Sequence, residues 1–169
     1  GAGARVADDE PGARAFLCAL LLWPAYGRAQ ASLLKQGVAP EEAQRRAADR
    51  VTVQQLSTIA LPRRFSLPMQ EIWLLQSRFS SRQRKRVFRT LTHPRFRAAF
   101  DFLALRQVAS AEHEADVAFW REAQAQSGHE LESSLDAMHT DGGDEEGGAP
   151  RKRRRRRRRT GAAGGGAAE

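Results

Sequence analysis

The chain of 169 residues contains one cysteine, Cys18, so an internal disulfide is impossible and a small secreted scaffold held by disulfides is excluded. Its neighbours in "AFLCALLLW" are apolar, and Cys18 is expected to be a small buried core residue rather than a reactive thiol. Long apolar runs are missing as well. The run from Ala15 to Trp23 has nine residues, against the roughly 20 that span a bilayer. It lacks a basic start and a small-residue cleavage site, so it does not read as a signal peptide. The expectation is a cytoplasmic protein with no membrane partner.

Chemistry-bearing motifs are equally scarce. The four histidines, His93, His113, His129 and His139, match no common ligand spacing. There is no glycine-rich phosphate loop, no nucleophile elbow and no Asp-x-Asp pair to hold magnesium. No catalytic and no metal-binding residue is assigned. The chain also opens at Gly1 rather than Met, which suggests a fragment of something longer.

What the sequence does have is segregated charge. Residues 1–150 carry 19 basic and 19 acidic side chains, whereas residues 151–159 are all basic. Within the neutral part, residues 61–106 hold eleven Lys or Arg against only Glu71 and Asp101; residues 107–150 reverse this, with Arg121 alone against eleven carboxylates. Such separation gives a surface two poles and steers polyanions toward one of them.

Helical periodicity runs through most of the chain, and no stretch alternates as a strand does. A first helix is predicted from Ala13 to Gln36, interrupted at Pro24, with Gly37 at the position past its end. Pro40-Glu41-Glu42 opens a second, which Pro62 stops. A third begins near Ser66 and Pro68 and buries Met69, Ile72, Trp73, Leu75 (or Gln76) and Phe79. Ser80 or Ser81 caps a fourth that ends near Thr92. A fifth opens at His93-Pro94 and carries Phe96, Ala99, Phe100, Leu103 and in part Val108 on one stripe. A sixth spans Glu112 to Gln126 with Val117 and Trp120 inward. The predicted fold class is therefore all-α: a compact multi-helix domain of about six helices over residues 1–127. An acidic, glycine-rich linker over 128–150 and an Arg-rich tail over 151–169 are expected to be disordered.

In the stretch "SSRQRKRVFRTLTHPRFRAAFDFLALR", residues 80–106, eight Lys or Arg stand against one Asp. Arg82, Lys85 or Arg86, and Arg89 recur at three- and four-residue steps, which would align them on one helix face while Val87, Phe88 and Leu91 turn to neighbours. Two readings stay open. The face could be solvated, with acidic partners from residues 107–126 beside it. It could equally be a phosphate-contacting surface. Aromatics at helical spacing read as core; Phe65, behind Arg63-Arg64 in an expected loop, is the ring expected to be exposed. The run from Arg151 through Lys152, Arg153, Arg154, Arg155, Arg156, Arg157 and Arg158 to Arg159 would bind any polyanion without reading its sequence.

Taken together, "LPRRFSLP" before "EIW.LQ.RF", then "R.KR", then "HPRFRAAFDFLALR" resemble the C-terminal helical, RNA-binding region of the bacterial poly(A) polymerase I family. That family lies in the nucleotidyltransferase superfamily shared with the CCA-adding enzymes. The resemblance extends back through "FLCALLLWPAY" and forward to "FWREAQ", about residues 14–126, and the basic tail suits it. It implies a missing N-terminal catalytic head and neck, where ATP and Mg2+ would serve adenylyl transfer to an RNA 3′-hydroxyl. The chain itself would need no cofactor and would hold single-stranded RNA 3′ ends. The residues the resemblance points to for phosphate contact are Arg63, Arg64, Arg78, Arg82, Arg84, Lys85, Arg86 and Arg89, with the tail; Arg95, Arg97 and Arg106 are less clearly so. A CCA-adding enzyme, or a basic interaction module without an RNA role, are the alternatives.

Overall fold

The computed structural model describes residues 10–58 and 61–141, and these form seven α-helices and two short 3-10 helices with no strand among the described residues. The all-α expectation holds. The helices are α1 (Glu10–Lys35), α2 (Pro40–Thr58), α3 (Arg63–Gln76), α4 (Arg84–Leu91), α5 (Phe96–Ala109), α6 (Glu114–Ala125) and α7 (Gly128–Asp141). The 3-10 helices are Ser77–Ser80, leading out of α3, and Ala111–His113, leading into α6.

Local signals account for several boundaries. Gly37 has φ +83°, which a side chain with Cβ resists. The Val38 N–H donates to the Leu33 carbonyl (3.1 Å) and the Gly37 N–H to that of Leu34 (3.0 Å), the paired bonds of a Schellman motif. Pro40 starts α2 with Glu41 and Glu42 in its first turn.

Elsewhere the structure departs from the sequence reading. Helix α1 runs unbroken through Pro24. Ala15, Ala19, Tyr26 and Leu33 are all buried on one stripe that continues across the proline, so packing overrides the lost backbone bond. Helix α3 begins at Arg63, not near Ser66, and this carries Phe65 inward: the ring is buried, with Arg64 lying 4.9 Å from its centroid. Neither Ser80 nor Ser81 caps α4. The cap position is Gln83, whose backbone N–H reaches the Ser81 hydroxyl at 3.4 Å. Cys18 is half-buried, and Val108 is 83% exposed, off the stripe.

The largest departure is α7. Residues 128–141, expected to be unstructured, form a helix whose Leu131 and Leu135 are buried against Trp120 and Phe96 in one cluster. Its start is a capping box: Ser127 Oγ accepts the Glu130 N–H (3.3 Å), and Glu130 accepts the Ser127 N–H (2.8 Å). That bond holds the Glu130 carboxyl below its ordinary pKa. The linker beyond 141 and the Arg-rich tail lie outside the described residues.

Two hydrophobic clusters organise the helices. One joins α1 and α2 to Met69, Ile72 and Trp73 of α3 and to Phe102 of α5. The other joins Leu75, Phe79 and Val87 to α5, α6 and α7. Trp73 and Trp120 are buried in them, as the sequence predicts, and each indole N–H is bonded: Trp73 to the Ala19 carbonyl (3.0 Å), Trp120 to that of Phe79 (2.7 Å). Helices α3 and α5 face both clusters. Between them the buried Gln76 donates to the Ile72 (3.0 Å) and Ala99 (3.1 Å) carbonyls and accepts from Arg106 (3.1 Å).

Candidate nucleic-acid interface

The basic segment does not form one face. Because α4 starts only at Arg84, Arg82 lies in the extended approach to it and turns inward. Its guanidinium donates to the Phe79 carbonyl (2.7 Å) and to Asp116 (2.5 Å), and sits 3.9 Å from the centroid of Phe119. Arg84 is taken up by Glu132 of α7. Both cations expected on the phosphate face thus have intramolecular acidic partners. Asp116 comes from within residues 107–126, as the solvated-face reading supposed; Glu132 comes from the helix the sequence reading lacks.

The rest of the segment behaves differently. Among the described residues, Arg78, Lys85, Arg86 and Arg89 are exposed and make no ion pair. Three of them converge. Arg78 from the 3-10 helix and Arg86 and Arg89 from α4 line one cleft of about 440 Å³, closed on the far side by Glu41, Gln44 and Arg45 of α2. Arg86 and Arg89 are three residues apart and therefore neighbours on α4, while Val87 and Thr90 between them are buried and fix which way that face looks. Arg45 is bonded to Glu42 at 2.8 Å, and Glu41 is the only carboxylate on the cleft walls. Like charges three residues apart repel by a few tenths of a kcal/mol in an isolated helix. With no ion pair among the described residues to relieve them, these guanidiniums suit an incoming anion.

Lys85 is exposed but does not line the cleft, and neither do Arg63 and Arg64 at the start of α3. Arg95 pairs with Glu71 (3.2 Å), Arg97 with Asp101 (3.5 Å), and Arg106 is half-buried on Trp23. His93, half-buried among these groups, accepts the Arg95 backbone N–H at Nδ1 (3.0 Å). Desolvation lowers its pKa from the ordinary value, with Arg78 and Arg95 adding to the effect and Glu71 opposing it. The run Arg151–Arg159 lies outside the described residues. Gln44 and Arg45 were missed by the sequence reading. They stand more than 30 positions before Arg78, and nothing local marks them as its neighbours.

The described residues bring together no three His, Cys, Asp or Glu side chains able to hold a metal ion. No described helix is long and apolar enough to cross a membrane.

Comparison with known proteins gives this geometry a setting. Residues 36–160 match the family model of the polymerase A arginine-rich C-terminus. Poly(A) polymerase I of Salmonella typhi is 35% identical over 132 residues, covering 75% of this chain and 28% of that protein. The Escherichia coli O157:H7 protein of the same name is 34% identical over 137 residues (79% and 30%), and that of Haemophilus influenzae 32% over 134 (78% and 29%). The chain spans less than a third of the length of these relatives.

Proposed function

The chain belongs to the family of polymerase A arginine-rich C-termini, and from that premise we propose that its helices hold single-stranded RNA for a polymerase that adds AMP from ATP to RNA 3′ ends. The catalytic residues, the ATP and the metal ions of that reaction belong to a head and neck outside this chain. The part assigned to the chain is positioning: phosphate contacts fix a strand's path and carry no sequence information themselves. One observation carries the reading. Arg78, Arg86 and Arg89 surround a single cleft with no ion-pair partner among the described residues, although eleven carboxylates follow them in residues 107–150.

Binding of the full chain to a short single-stranded RNA across a salt series tests it. Each phosphate contact contributes about 0.7 to the slope of log affinity against log salt on a single strand. Replacing all three arginines by alanine should lower that slope by about 2. An unchanged slope would place the RNA contacts elsewhere, on the tail or nowhere, and remove the helices from the function.

A further inference from the structure

Beside the arginine cleft lies a second of about 230 Å³, and the two share Gln44 and Ser77 as a common wall. Its chemistry is unlike that of its neighbour. The floor is aromatic, with Trp23 and Tyr26 of α1, and Arg106 of α5 lies over the Trp23 ring, 4.7 Å from its centroid. That guanidinium is already fixed, donating to Gln76 Oε1 and to His113 Nε2, each at 3.1 Å. It also feels the carboxylates of Glu112 and Asp116.

Three residues lining this cleft carry hydrogen-bonding groups left unused among the described residues. Tyr26 is only 2% exposed, yet its hydroxyl is neither hydrogen-bonded nor sealed from solvent. Burial pushes the phenol pKa up to about 12, so at neutral pH the hydroxyl keeps its proton and can both donate and accept. The Gln30 carboxamide is unbonded. Gln44 accepts the Ser77 hydroxyl at Oε1 (3.0 Å), which orients its amide N–H groups and leaves them unused.

We propose that this cleft receives one unstacked nucleobase of the strand whose phosphates lie along Arg78, Arg86 and Arg89. The inference rests on the RNA reading above and adds a base contact to it. An unpaired base offers a flat face and an edge of donors and acceptors, and proteins meet these with aromatic or guanidinium planes and with carboxamides and hydroxyls. Arg106 backed by Trp23 is such a plane; Tyr26, Gln30 and Gln44 are such groups. A phosphate fits the first cleft better, because the single cation here is half-buried and already balanced by acids. The shared wall places base and phosphate sites side by side, as one strand requires.

The test compares the full chain's affinity for a short single-stranded RNA with that for the same sugar–phosphate backbone lacking bases. A preference of about tenfold for the base-bearing strand is expected, in line with one stacked, bonded base. Tyr26→Phe removes a hydroxyl that bonds nothing in the fold, and Gln30→Ala an unbonded carboxamide. Each should cut the preference at least about threefold while leaving affinity for the abasic strand unchanged. Equal affinity for both strands overturns the base site and leaves the phosphate reading standing. A preference that survives both substitutions also overturns it, since the base is then read elsewhere. Failure to bind either strand at low salt overturns both readings.

Discussion

At the scale of single residues, similar cations with similar sequence surroundings divide into two kinds. Arg82 holds a 3-10 helix to α6 through the Phe79 carbonyl, which also takes the Trp120 indole N–H, and through Asp116. Arg86, four positions on, touches no carboxylate. Arg82→Ala should therefore cost roughly 1.5–3 kcal/mol of stability, the scale of hydrogen bonds to a charged group. It should leave the salt dependence of RNA binding alone. A fall in slope equal to that from Arg86→Ala would show that Arg82 meets phosphate after all. The composition of residues 80–106 disclosed that they were basic, but not which cations were spoken for. That depended on partners 34 positions away (Asp116) and 48 positions away (Glu132), beyond the reach of any local pattern.

At the scale of elements, helices bearing a clear apolar stripe were legible, and their ends less so. The Gly37 turn and the Pro40 start follow from residue types with few other uses. The start of α3 lies earlier than the Ser66 and Pro68 expected to open it: Arg63 and Arg64 supply its exposed first turn, Phe65 is its first inward residue, and Pro68 lies inside the helix. Helix α7 could have been found. "SGHELESSL" holds Ser and Glu at capping-box spacing, followed by leucines four apart, but the glycine- and acid-rich sequence just after it obscured a short stripe. Because Leu135 is fully buried among large side chains, Leu135→Ala should cost about 2–5 kcal/mol. Thermal or denaturant unfolding measures this; a null effect would mean α7 is not docked in solution.

At the scale of the whole molecule, the two hydrophobic clusters are not two domains. Met69, Ile72 and Trp73 face one and Leu75 the other, all within two turns of α3; on α5, Phe102 lies with the first cluster and its neighbour Leu103 with the second. Neither cluster can lose these helices without exposing the other, so heating should give one cooperative transition, the same by near-UV and far-UV circular dichroism. Single-stranded RNA at about a hundred times its Kd should raise that one transition by the equivalent of about 2.7 kcal/mol. Two separated transitions, with only one moved by RNA, would contradict this. Such cooperativity is invisible in sequence, where α3 reads as a helix with one buried face.

The arginine cleft takes one wall from α2, in the first cluster, and the other from α4, in the second. The spacing between its cations and Gln44 is therefore a reading of how the two halves are set against each other, with α3 as the rigid bar between them. A strand drawn across the cleft would bear on both halves at once. Any load on α1 and α2 would in turn be transmitted to the grip on that strand.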